Sequence, residues 1–195
     1  LVQVLIEEGL TPSEAGALAD RWLVCDDFLL STLSGEFDYI VGNPPYVRQE
    51  LIPAVLLAEY RARYRTLYDR ADLYVPFIER SLSLLAPEGS LALICSDRWM
   101  KNKYGGPLRK IVADEFHLRI YVDMVDTLAF RSEVTAYPAI TVITRETPGP
   151  TRVAHRPAID YNTLKSLADE LRAPALSKDT SRVRELMHVA ESDEP

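Results

Sequence analysis

Apolar positions along the chain fall into short blocks whose spacing switches between the helical and the strand period. Leu1–Leu10 has the three- and four-residue spacing of a helix, with Gly9 close to its end. Thr11-Pro12-Ser13-Glu14 has the make-up of a capping box with proline in the first turn, and predicts a second helix to about Leu23. Val24-Cys25 reads as a short strand or its end. Phe37–Val41 is a compact apolar run stopped by Gly42, which predicts a strand. Asn43-Pro44-Pro45-Tyr46 cannot extend it, because two consecutive prolines remove two backbone donors. Leu51–Leu67 has helical character and is rich in arginine. Asp72 stands where it can cap a helix whose Tyr74, Phe77, Ile78, Leu82 and Leu85 share a face. After the turn Pro87-Glu88-Gly89, Ser90–Cys95 is a buried strand, apolar throughout. Pro107–Phe116 predicts a helix, and Leu118–Met124 and Ala139–Arg145 predict strands.

Strands that alternate with helices indicate an α/β fold with a mostly parallel, doubly wound sheet. Such sheets hold ligands beyond the carboxyl ends of their strands. Asn43–Tyr46 and Ser96–Arg98 both follow predicted strands and belong on that edge. The texture changes at Pro148-Gly149-Pro150, with Pro157 and Pro174 beyond it. Asp160–Leu171 and Ser181–Val189 predict helices, ahead of an acidic end at Glu191–Pro195. The division expected is a core over residues 1–147 and a linker with a short helical tail over 148–195.

Composition narrows the function. With 195 residues, 47% of them hydrophobic, the chain can bury a sizeable core. Its net charge of −7 speaks against a domain that holds nucleic acid by bulk charge, so any such role needs local basic patches or a basic region outside this chain. No stretch approaches the about 20 apolar residues of a membrane span. Cys25 and Cys95 are too few for a disulfide framework, and both adjoin apolar runs, as buried thiols of a reducing cytoplasm do. His117, His155 and His188 show no metal spacing, so no metal is expected. The chain opens in the middle of an amphipathic run, as a piece of a longer protein would.

Asn43-Pro44-Pro45-Tyr46 is the sharpest chemical feature. An Asn-Pro-Pro run alone is ordinary turn punctuation. Tyrosine in fourth place, directly after a buried strand and glycine, singles this one out. Pro45 holds Pro44 extended, so the Pro44 carbonyl has a fixed direction. The Asn43 side-chain carbonyl is a second acceptor. Together they can take both hydrogens of one amino group. The lone pair of a conjugated amine is delocalised. Accepting both N–H bonds draws the nitrogen toward tetrahedral geometry and stabilises the positive charge that builds as it attacks, with no titrating group needed. Tyr46 offers a flat face on which a base can stack.

The segment Phe37-Asp38-Tyr39-Ile40-Val41-Gly42-Asn43-Pro44-Pro45-Tyr46 resembles the catalytic motif of amino-methylating, S-adenosylmethionine-dependent DNA methyltransferases. It is most similar to the N6-adenine enzymes of restriction-modification systems. Asp27-Phe28-Leu29 resembles the segment that meets the cofactor's adenine in that family, with Asp26 as the alternative acid. Asp72-Leu73-Tyr74 with its helix, and Gly89–Cys95, resemble the next two motifs. Phe130, before Arg131-Ser132-Glu133-Val134, stands where the family carries an aromatic on the far face of a flipped base. The likeness spans about Asp26–Arg145. It implies a partial Rossmann-like methyltransferase core, the catalytic half. The Gly-rich cofactor loop and the ribose-binding acid would then lie upstream, and a target-recognition domain elsewhere in the same protein. The resemblance implies double-stranded DNA with a flipped adenine as partner. The isolated piece is expected to be inactive and, with an open sheet edge, to self-associate.

Arg98, Lys101, Lys103, Arg109 and Lys110 fall in a stretch without acidic residues. Arg98, Lys101 and Lys103 are candidates to reach phosphates. Arg61, Arg63, Arg65 and Arg70 would spread around a helix as a solvated face. Three other functions remain open: transfer to a protein glutamine amide, amino methylation of RNA, and a non-catalytic DNA-binding fragment. The helix-rich, arginine-rich stretch Val47–Asp72 resembles the restriction-modification subgroup more than the compact glutamine enzymes, and that resemblance implies DNA over glutamine.

Overall fold

The computed structural model describes residues 1–127 and 137–173, and the backbone of 187–190. They form two compact units, Leu1–Leu33 and Ser34–Pro195.

The first unit holds helices α1 (Val2–Glu7) and α2 (Pro12–Trp22). The capping box is formed: Glu14 N donates to Thr11 Oγ1 at 3.3 Å, and Thr11 N donates to the Glu14 carboxylate at 3.0 Å. That same carboxylate accepts from the Thr11 hydroxyl, and these bonds hold Glu14 below the ordinary carboxylate range. Val24 and Cys25 are exposed and irregular rather than strand. No neighbouring strand pairs them within this unit.

The second unit is built on β1 (Phe37–Gly42), β2 (Leu85–Ser96), β3 (His117–Asp123), β4 (Pro138–Thr144), β5 (Thr151–His155) and β6 (Met187–Ala190). The strand order is β1-β2-β4-β3-β5-β6. Its helices are α3 (Ala54–Arg63), α4 (Tyr74–Ser83), α5 (Arg98–Lys101), α6 (Gly106–Glu115) and α7 (Tyr161–Arg172).

The fold is α/β as expected, but the sheet is mixed rather than mostly parallel. β1 pairs with β2, and β3 with β5, in parallel; β4 lies between β2 and β3 antiparallel to both, and β6 is antiparallel to β5. The reversal comes from β4 following β3 as its direct neighbour instead of crossing over a helix. Because β4 reverses twice, β1, β2, β3 and β5 still point the same way, and their carboxyl ends share one edge.

Cross-strand partners share a face, and successive residues take opposite faces. One row runs Ile94–Ile140–Val122–Ala154. α7 covers it with Leu167 and Leu171. Asp160 caps α7 by accepting from Thr163 N at 3.0 Å. At its other end Arg152 Nη1 of β5 donates to the carbonyls of Leu171 (2.8 Å) and Ala173 (2.6 Å). The stretch from Pro148 on is thus no mere linker with a helical tail: it adds β5 to the sheet. Met187–Ala190 is strand where a helix was expected, because its backbone pairs with β5.

β1 lies at the margin of the described sheet, with Tyr39 and Val41 about 80% exposed. Gly89 lets β2 pass close to it; a Cβ there would stand 2.8 Å from the Phe37 carbonyl oxygen. Gly105 is more tightly constrained. It begins the turn into α6, and a Cβ would lie 1.7 Å from the Trp99 carbonyl oxygen. Gly105→Ala is therefore expected to cost about 3 kcal/mol or more of unfolding free energy in urea denaturation, since backbone, not a flexible side chain, must yield.

Candidate functional site

β1 ends at Gly42, level with Leu93 of β2. The next four residues, Asn43 to Tyr46, leave the sheet at the carboxyl edge. Two anchors fix the chain just beyond. Leu73 N donates to the Val47 carbonyl at 2.8 Å. The buried Gln49 donates to the Asp69 carbonyl and accepts from Arg61 Nη2 at 2.7 Å. The tetrad is thus held at both ends, by the sheet before it and by the segment leading into α4 after it.

Asn43 is exposed and Pro44 is buried. Neither the Asn43 amide nor the Pro44 carbonyl takes part in a hydrogen bond among the described residues. Tyr46 leans on Tyr74, the ring centroids 6.3 Å apart and tilted by 38°. Its remaining surface is 39% exposed and borders a concavity of about 390 Å³ lined by Tyr46, Arg48, Glu50 and Leu51. That volume lies within the roughly 300–1,000 Å³ of small-ligand sites. Burial, with Cys95 nearby, pushes the Tyr46 phenol up to about 12, so the ring is neutral at physiological pH.

Arg48 and Glu50 were missed in the sequence. No local period announces them, because the extended chain at Tyr46–Arg48 gives way to a 3-10 turn over Gln49–Leu51 that carries Glu50. The neighbouring Asp72 is half-buried. Desolvation raises its carboxyl above the ordinary range, while Arg98 and Arg48 pull it back. Its side chain makes no capping bond to α4, whose first turn receives instead the Asp72 carbonyl, from Val75 N at 3.0 Å.

The basic residues after β2 have separate roles. Arg98 lies over the Tyr137 ring at 4.6 Å. Lys101 is committed to the buried Asp97, whose Oδ2 also accepts from Tyr121 Oη at 3.0 Å. Lys103 is exposed, with no hydrogen bond or ion pair among the described residues. Arg109 is structural: its Nη1 donates to the carbonyls of Trp99 (2.6 Å) and Asn102 (2.8 Å). Lys110 pairs with Asp114 at 2.8 Å. Arg65 sits between Glu79 and Glu115.

In the first unit Asp27 forms a tight turn. Its Oδ1 accepts from Leu29 N at 2.9 Å, while Asp26 accepts from Asp27 N at 2.8 Å. Phe28 is half-buried. Phe130 lies outside the described residues. Among the described residues no group of His, Cys, Asp or Glu could hold a metal, and no helix is long and apolar enough to cross a membrane.

The fold has relatives of known structure. It superposes with a TM-score of 0.58 on a protein from Listeria monocytogenes described as a class I S-adenosylmethionine-dependent methyltransferase, at 16% identity, over 73% of this chain and 44% of that one. A methyltransferase subunit of a type I restriction-modification system from Streptococcus thermophilus gives 0.59 at 14% identity, over 85% and 38%. The model of the Eco57I restriction-modification methylases matches residues 8–130, and the chain belongs to that family. It is 64% identical over its full length to the type II methyltransferase M.PaeR7I of Pseudomonas aeruginosa, and 54% identical to M.XhoI of Xanthomonas vasicola. It spans about a third of each, 34% and 36%.

Two measurements check this assignment of side chains. Lys101→Ala is expected to lower unfolding free energy by roughly 1–2 kcal/mol, because it strands a buried carboxylate, whereas Lys103→Ala stays within about 0.5 kcal/mol. Cys95 is buried and its thiol is pushed up to about 12 by desolvation, so it stays protonated at mildly alkaline pH. A disulfide reagent should titrate the exposed Cys25 in the native chain and reach Cys95 only after denaturation.

Proposed function

We propose that this chain carries the methyl-acceptor half of a restriction-modification DNA methyltransferase that acts on the N6 amine of adenine. The observation that supports it best is that Asn43–Tyr46 leaves β1 at the strand-carboxyl edge with no hydrogen bond to the Asn43 amide or the Pro44 carbonyl among the described residues, and with Tyr46 part-exposed.

On this reading a flipped adenine stacks on Tyr46, with Phe130 the candidate for its other face. Stacking offsets the few kcal/mol of unstacking. Asn43 and Pro44 accept the two amine hydrogens. As the nitrogen attacks, positive charge grows on it, and both dipoles are already aimed at that charge. Rigid anchoring through Val47 and Gln49 means little reorganisation is needed at that moment. S-adenosylmethionine supplies, when bound, a methyl group on a sulfonium. Asp27 and Phe28 are the residues here with a matching chemistry, a carboxylate for the adenine amine and a ring for its face. The Asp27 turn fits such a role in part, since one carboxylate oxygen is engaged by Leu29 N. Arg98, Arg48 and Lys103 supply positive charge near the tetrad for the DNA backbone; Lys101 is shared with Asp97. The Gly-rich loop and the target-recognition region belong to the rest of a protein as long as the relatives.

Asn43→Ala in the full-length protein should abolish methyl transfer to unmodified DNA, a loss of roughly a thousandfold or more by analogy with removal of a preorganised dipole. Binding of S-adenosylmethionine, measured by calorimetry, should stay nearly unchanged. Offering DNA, RNA and protein acceptors side by side tests the substrate class. Label found only in protein would replace DNA by a glutamine amide.

A further inference from the structure

Tyr74 is fully buried beneath Tyr46, and its hydroxyl lies 3.0 Å from that of Tyr104. The Tyr74 hydroxyl is shared between Tyr104 and the Ser96 side chain, and the Tyr104 hydroxyl is paired with that of Tyr74. Tyr104 belongs to the turn Lys103–Gly105, between the Lys101–Asp97 pair and α6. That turn is rigid for reasons unconnected with Tyr104: the buried Trp99 packs its carbonyl against Gly105, and Arg109 holds the carbonyls of Trp99 and Asn102. A firm platform therefore reaches, through one hydrogen bond, the ring that backs the exposed face of Tyr46.

We propose that Tyr104 is a positioning residue: its bond to Tyr74 sets the ring on which Tyr46 leans, and so sets the stacking face of the tetrad in one frame with the cationic turn carrying Lys103. The inference rests on the methyltransferase reading and deepens it. A base stacked on Tyr46 and a phosphate met by Lys103 would then be held at a separation fixed by the protein. Losing the bond lets the Tyr74 ring, and with it Tyr46, depart from the tilt that presents the amine to Asn43 and Pro44. Binding of DNA through its phosphates is untouched, because no cation moves.

The test compares Tyr104→Phe, Tyr74→Phe and the double variant in the full-length protein, with unmethylated plasmid DNA as acceptor and labelled S-adenosylmethionine as donor. Tyr104→Phe should lower kcat roughly five- to tenfold, with KM for DNA within about twofold and the salt dependence of KM unchanged. The double variant removes both phenol hydroxyls and leaves Ser96 its bond from Arg98 N, so it should regain part of the melting temperature, yet keep the low kcat. If kcat returns together with the melting temperature, or if Tyr104→Phe transfers like the wild type, the hydroxyl pair is purely structural and the proposal fails. A wild-type protein that transfers no methyl to DNA would instead overturn the reading of the site itself.

Discussion

The parallel pairing of β1 with β2 is the constraint from which the site follows. Its register, Gly42 beside Leu93, brings the tetrad out at the same edge as Asp97 and Arg98. A slip of one residue would turn Tyr39 and Val41 to the other face and re-aim every group beyond Gly42. The close pass of Gly89 under the Phe37 carbonyl helps specify the register, since only glycine tolerates that approach. The antiparallel β4 then flanks β2 on its other side, so the strand that carries Cys95 and leads into Asp97 is fixed along both edges.

Downstream of the tetrad the polar residues are used for rigidity more than for charge. Gln49 and Arg61 close the chain onto Asp69, and Leu73 N closes it onto Val47. Thr66 N donates to Glu79 at 3.0 Å, tying the same region to α4. Of the arginines of this segment, Arg61 bonds Gln49 and Arg65 pairs with Glu79 and Glu115, whereas Arg63 and Arg70 are exposed and Arg48 lines the concavity beside Tyr46.

Local chemistry was legible in the sequence; non-local pairing was not. The capping box at Thr11, the strand ended by Gly42, and the helices that became α4, α6 and α7 each depend on a few neighbouring residues. The position of β4 depends on which strands meet after folding, and no local pattern encodes that. β5 hid between prolines because Arg152 and His155 make it look like loop, although Arg152 is drawn in to hold the carbonyl end of α7. Likewise the tetrad stands out as a candidate because its residues are contiguous, whereas Tyr74 and Tyr104 meet across thirty positions. The basic stretch after β2 was read as one unit, and geometry divides it: a stacked Arg98, a paired Lys101, an exposed Lys103 and a structural Arg109.

That division bears on how charge-removal experiments on this loop should be interpreted. The Asp97 carboxylate is shut away from water, and among the described residues its Oδ1 has no hydrogen-bond partner while its Oδ2 is met by Lys101 and Tyr121. Deleting Lys101 would loosen the framework around Asp97 even if that amine never met a ligand. A scan that ranks loop cations by lost affinity would therefore overrate the one that serves as an internal counter-ion and underrate the one that points outward.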